Sequence, residues 1–107
     1  MREQFVVLEG VVGSDAQGVS VHRHHSRIGQ DRYLACIGLR DGANLIWQEI
    51  EMTGDLAVRS SDIFVSGNIV RVFGLLQQQL GLPAYRVQVD KLELLHSAVP
   101  SVLRRAA

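Results

Sequence analysis

Residues 32–52, RYLACIGLRDGANLIWQEIEM, decide the fold class of this chain. Apolar residues recur at every second position through 32–40, and residues 45–52 repeat the alternation. A period of two is typical of a β-strand that buries one face. Asp41-Gly42 lies between the two runs and is a strong signal for the turn of a β-hairpin. The stretch therefore predicts two adjacent antiparallel strands.

The rest of the chain extends this hairpin into a small all-β domain. Strand-like runs at 5–12, 69–76 and 84–95 raise the number of main strands to five, and a shorter alternation covers 19–22. Residues 55–61, with Asp55 as N-cap, form the one plausible helical turn. Interior glycines at Gly10 and Gly74 suit sharp bends at barrel corners. The pattern predicts a five-stranded antiparallel OB-fold barrel with one short helical connection.

Length and composition agree with one globular domain. The chain has 107 residues, of which 47% are hydrophobic and 21% charged. We expect an OB-fold domain over 1–95 and a flexible tail over 96–107. No apolar stretch approaches the length of a membrane span, so the sequence predicts a cytoplasmic protein with no membrane partner.

Charge is balanced overall but uneven along the chain. The 11 basic and 11 acidic residues cancel, so bulk charge does not indicate a nucleic-acid partner. Residues 23–30 instead read as a basic, histidine-rich loop, and Asp31 is the only acid between Arg23 and Arg40. The region around this loop is therefore the first candidate for contact with phosphates.

Binding of single strands requires cations for phosphates and flat groups on which bases stack. Trp47 alternates with Ile46 and Ile50, which predicts that it lies on the polar face of its strand. Phe5 and Phe73 are instead expected in the core, because aromatic side chains are stabilised chiefly by burial. The predicted nucleic-acid-binding residues are Arg23, His24, His25, Arg27, Arg32, Tyr33, Arg40, Trp47, Arg71, Tyr85, Arg86 and Lys91.

Other kinds of site are less well supported by the sequence. His22-x-His24 places two imidazoles on one strand face, but a structural zinc site requires four ligands. The lone cysteine, Cys36, lies in an apolar run and is expected to be a buried structural thiol. Glu49 and Glu51 alternate on one face and are expected to be solvated. No catalytic motif is present, so we expect no enzyme activity, no metal and no cofactor.

Several segments resemble bacterial single-stranded DNA-binding proteins. The segments are FVVLEGVVG (5–13), WQEIEMTGDLA (47–57), GNIVRVFGL (67–75) and YRVQVDKLELL (85–95). In length the chain is most similar to the short primosomal replication protein N type. This resemblance implies a homodimer that binds single-stranded DNA, with RNA left open, and contacts a replication or helicase partner. It also implies a role in DNA replication, replication restart or recombination.

A second function remains open at this stage. The OB fold also serves as an adaptor or subunit that binds other proteins without nucleic acid. Zero net charge, 6% aromatic residues and a barrel rich in Val and Leu favour this alternative. A salt-dependent affinity for oligonucleotides distinguishes the two functions.

Overall fold

A computed structural model of the chain describes residues 4–25 and 31–98. Nearly all of its regular structure is β-sheet, as the alternating apolar pattern predicts. The elements are β1 (Gln4–Val12), β2 (His22–His25), β3 (Asp31–Asp41), β4 (Asn44–Thr53), α1 (Gly54–Arg59), β5 (Ile69–Gln78) and β6 (Tyr85–His96).

The strands form one sheet that closes on itself. Their order is β1-β5-β6-β4-β3-β2, and β1 also pairs with β3 through Val11 opposite Gly38 and Val12 opposite Ile37. The main five strands therefore make the predicted OB-type barrel, and β2 extends beyond it beside β3. One pair departs from the antiparallel expectation, since β4 and β6 run parallel where Ile50 lies opposite Val87.

Two local boundaries differ from the sequence predictions. β2 begins at His22 and covers residues predicted as loop, because its backbone pairs with Leu34 to Asp31 of β3. The helix begins earlier than predicted, with Thr53 as N-cap accepting a hydrogen bond from the Leu56 amide at 3.4 Å. Asp55 lies in the first turn instead, where it pairs with Arg59. Among the described residues, no helix is long and apolar enough to cross a bilayer.

The core fills the barrel and continues beneath α1. Ile37, Ile50 and Val87 are completely buried, in phase with the alternation read from β3, β4 and β6. Leu56 of α1 and Phe64 after it cover one end of the barrel. The other buried hydrophobic residues of this cluster are Val12, Ala35, Met52, Val70, Val72 and Val89.

Three residues expected inside the barrel lie outside it. Phe5 is exposed and Phe73 is partly buried on the outer face, because both are in phase with Arg71 and Glu9 in the β1–β5 register. Cys36 is also exposed, since its neighbours Ala35 and Ile37 are the residues that point inward. In each case the alternation of the strand, rather than the hydrophobicity of the residue, decides the face.

The two predicted corner glycines do lie at close backbone approaches. A Cβ on Gly10 would come 2.7 Å from the carbonyl oxygen of Gly38, and one on Gly74 would overlap the carbonyl oxygen of Gln88. A register shift between Phe73 and Gly74 marks a bulge in the β5–β6 pair at the same point. Such bulges bend a strand strongly enough for the sheet to close.

Candidate nucleic-acid interface

Trp47 presents a flat, exposed ring on the outer surface of β3 and β4, and such a ring is suited to stacking on a base. Its side chain lies on the polar face, as predicted, and 54% of the residue is exposed. One edge of the indole rests on backbone, because a Cβ on Gly13 or Gly38 would come 2.7 or 3.1 Å from the ring. The two glycines thus let the ring lie against the barrel while the rest of it faces solvent.

A surface cleft of about 540 Å³ opens beside this ring. The loop at residues 13–21 forms one wall, and the outer faces of β3 and β4 form the floor and the other wall. Pockets of this size range accept small organic groups. The lining residues are Gly13, Ser14, Asp15, Val19, Ser20, His22, Leu34, Ala35, Cys36, Trp47 and Glu49.

Asp15 holds the loop wall of the cleft in place. Its carboxylate accepts hydrogen bonds from the amides of Gln17 and Val19, both at 2.9 Å. The hydrogen bond from the Val19 amide contributes most to lowering the pKa of Asp15. The bond from the Gln17 amide and the nearby His22 also lower it. The carboxylate is therefore ionised at neutral pH, 3.3 Å from His22 Nε2.

Cys36 lies on the floor of the cleft with little nucleophilic character. Partial burial raises the pKa of its thiol, and the carboxylate of Glu49 opposite it adds to the shift. Since the thiolate is the reactive form, the thiol at this position is less reactive than an ordinary exposed cysteine.

The register of β2, β3 and β4 brings four predicted residues onto one surface. Trp47 lies opposite Gly38, and Arg40 follows two positions later on the same face of β3. Arg32 lies on this face as well, and His24 of β2 lies opposite it. With Arg86 of the adjacent β6, these residues define what we call the Trp47 face: His24, Arg32, Arg40, Trp47 and Arg86.

Most of the arginines on this face form ion pairs with carboxylates. Arg86 donates to Glu49 at 2.5 Å and to Glu51 at 3.1 Å. Arg32 Nε lies 3.6 Å from the other oxygen of Glu51. Arg40, in contrast, is exposed and has no carboxylate partner among residues 4–25 and 31–98. Glu49 and Glu51 are therefore members of an ion network and not the freely solvated side chains that the sequence suggested.

The structure does not bring the other predicted residues to the Trp47 face. Arg23 and Tyr33 lie opposite each other on the reverse side of the β2–β3 ribbon. Arg23 pairs there with Asp31 at 2.6 Å, and Tyr33 packs against the core. Arg27 and the side chain of His25 lie outside the described residues.

Arg71 and Lys91 lie on the outer surface of β5 and β6. Arg71 is held by Glu9 at 2.6 Å, with Glu93 at 4.0 Å, and the Lys91 ammonium lies 5.2 Å from the centre of the Phe73 ring. Since β1 lies between β5 and β3, and β6 lies between β5 and β4, these two cations are not part of the Trp47 face. Tyr85 begins β6 at the end of the barrel, where its carbonyl accepts a bond from Gln48.

The histidines do not form a metal site within the described part of the chain. His22 and His24 share a face of β2, as their spacing predicts, and lie opposite Leu34 and Arg32. No group of three His, Cys, Asp or Glu side chains positioned to hold a metal occurs among residues 4–25 and 31–98.

Sequence reasoning missed the cleft and the ion network. Gly13 and Gly38 are far apart in sequence, and nothing in either segment indicates that both contact one indole ring. The positions of Glu49 and Glu51, two residues apart on a strand, did show that they share a face. The arginine that joins them comes from a strand whose parallel pairing with β4 was not predicted.

Comparison with known proteins identifies the fold. No protein-family model matches the chain, and no curated protein matches it in sequence. The mitochondrial single-stranded DNA-binding protein Rim1 of S. cerevisiae is similar in structure, with a TM-score of 0.73 and 13% identity over 91% of this chain and 100% of that one.

Two bacterial structures are similar over most of the chain. The dimeric N-terminal domain of PriB from Thermoanaerobacter tencongensis has a TM-score of 0.66 and 14% identity, covering 87% of this chain and 97% of its own. The second single-stranded DNA-binding protein of Mycobacterium smegmatis has a TM-score of 0.65 and 17% identity, covering 96% and 93%. The chain therefore has the OB fold of the single-stranded DNA-binding proteins.

Proposed function

We propose that this chain binds single-stranded DNA on the Trp47 face, with bases stacking on the indole of Trp47. The observation that carries the proposal is the half-exposed indole beside an open cleft. Arg40 lies on the same surface and has no carboxylate partner within the described part of the chain. Exposed aromatic rings next to cations are the combination that single-strand binding requires. The structural neighbours whose names include single-stranded DNA binding support it through the shared fold.

The proposal is tested by the intrinsic fluorescence of the protein. Trp47 is the only tryptophan, so any change in emission comes from the proposed site. Titration with an oligo-dT of about 15 nucleotides at low salt should quench the emission in a saturable manner. An oligo-U of equal length, titrated in parallel, measures the preference between DNA and RNA. Unchanged emission with no binding by anisotropy would reject the function.

A second surface supports self-association of the chain. Phe5 and Val7 of β1 are 59% and 49% exposed, and they pair across the strands with Leu75 and Phe73. Beyond the contacts at Val11 and Val12, no described strand pairs with the other edge of β1. Free strand edges next to apolar faces readily pair with a second chain. We infer that two copies associate through β1 as a homodimer.

The predicted dimer is tested by Val7→Glu. A dimer that buries this position must desolvate the new carboxylate, so the dimer dissociation constant should rise at least about tenfold. Sedimentation velocity at several protein concentrations measures the change. Val58→Glu on α1, where the side chain is already exposed, is the matched control and should leave the dimer intact. A wild-type monomer at micromolar concentration, or an unaffected Val7→Glu dimer, contradicts the inference.

The wider role follows from the function and stays a prediction. A single-strand-binding dimer of this size fits a part in DNA replication, replication restart or recombination, with a replication or helicase protein as partner. We propose the cytoplasm as its compartment.

A further inference from the structure

The ion network on the Trp47 face differs from the other ion pairs of the protein in its burial. The side chains of Arg32, Glu49, Glu51 and Arg86 are 17–21% exposed. The Arg59–Asp55 pair, by comparison, is 65% and 81% exposed. Partly buried ion pairs are screened less by salt than exposed ones. Glu49 and Glu51 therefore hold their arginines more firmly than a surface carboxylate would.

This arrangement opposes a common mode of nucleic-acid binding. Proteins that bind DNA through its backbone present cations to the phosphates, which both duplex and single strands carry. On the Trp47 face a phosphate must compete with two carboxylates for Arg86, and with Glu51 for Arg32. The carboxylates also repel a phosphate that approaches β4. Among the described arginines of this face, Arg40 has no carboxylate partner, so it and the indole can bind without breaking an ion pair.

We propose that Glu49 and Glu51 are specificity-determining residues that hold Arg86 and Arg32 away from phosphates and so exclude duplex DNA from the Trp47 face. This inference rests on the proposed function. Binding is then carried mainly by unstacked bases on Trp47, and its dependence on salt comes from the contact of Arg40 with phosphate. A duplex offers phosphates but no unstacked bases, so the Trp47 face finds little to bind in a duplex.

The test is the double substitution Glu49→Gln with Glu51→Gln, which keeps the shape of both side chains and removes their charge. The variant should bind oligo-dT more tightly and should gain affinity for a duplex of equal length. Each arginine released should steepen the slope of log affinity against log salt by about 0.7. Between 50 and 200 mM salt, that corresponds to a further loss of about 2.5-fold for each arginine.

The matched control is Asp55→Asn with Asp62→Asn. It adds the same net charge and also frees one arginine, Arg59, but on α1 and not on the Trp47 face. The control should leave the salt slope and the duplex affinity unchanged. Sedimentation velocity tests whether either variant alters the oligomeric state, and circular dichroism tests whether both fold.

The outcomes separate this inference from the proposed function. If the wild type binds oligo-dT and the Glu49/Glu51 variant shows the same slope and no duplex binding, the inference is wrong and the function stands. An equal gain in the control variant also overturns it, since net charge then explains the effect. If neither wild type nor variant binds any oligonucleotide at low salt, both the inference and the proposed function fail.

Discussion

Gly74→Val is expected to destabilise the barrel by about 3 kcal/mol or more, since added side-chain atoms here have no space. A Cβ at this position would overlap the backbone carbonyl of Gln88 and lie 3.1 Å from Val87 Cγ1. A carbonyl inside a strand pair cannot move away without breaking the ladder at the β5–β6 bulge. The free energy of unfolding of a small domain is about 5–15 kcal/mol, so the loss would be a large part of the total.

Urea unfolding followed by circular dichroism and by Trp47 emission measures this effect. Gly54→Ala is the control, because its Cβ would find only the Tyr33 ring at 3.5 Å, an ordinary contact at the start of α1. That variant should stay within about 1 kcal/mol of the wild type. A Gly74→Val protein with an unchanged midpoint would show that β5 and β6 do not approach as closely as described.

Trp47→Ala has the largest expected effect on binding. Loss of one stacked base costs about 1–3 kcal/mol, which corresponds to an affinity for oligo-dT reduced by about 5- to 150-fold. The stability of the fold should change little, because much of the ring is in solvent. Fluorescence anisotropy with a labelled oligo-dT measures the affinity, since the variant has no tryptophan emission of its own.

Two companion variants separate stacking from a general loss of apolar surface. Trp47→Phe keeps a flat ring and should retain much of the affinity. Val58→Ala removes exposed apolar atoms from α1, which contributes no residue to the lining of the cleft, and should bind as the wild type does. Equal affinities for Trp47→Ala and the wild type would move the binding surface away from this face.

Local patterning predicted most of the fold. Residues 32–52 form β3 and β4 with the turn at the predicted place, and Ile37, Ile50 and Met52 point inward as their period requires. The glycines at barrel corners were also identified correctly. These predictions succeed because the alternation of a strand and the geometry of a turn depend on residues that are neighbours in sequence.

Predictions based on residue type alone were less successful. Phe5, Phe73 and Cys36 were expected inside because they are hydrophobic, yet strand register places them outside. A short barrel has limited room, and the register that buries Val70 and Val72 necessarily turns Phe73 outward. The period of the strand was the better guide in each case.

The candidate site shows the same division. Trp47 and its polar neighbours could be placed on one face from sequence, since they alternate along one strand. The cations that reach that face could not be identified from sequence, because their positions depend on pairing between strands far apart in the chain. Arg23 and Arg32 lie near each other in sequence but on opposite sides of the β2–β3 ribbon.

The sequence by itself determined that this chain forms a small β-barrel with a tryptophan on a polar face. Only the tertiary structure decided which charged side chains lie next to this tryptophan. The parallel β4–β6 pair brings Arg86 between Glu49 and Glu51, although at least 35 residues separate it from either. Ion pairs form between side chains that the fold brings within about 4 Å, and no pattern along the chain encodes that distance.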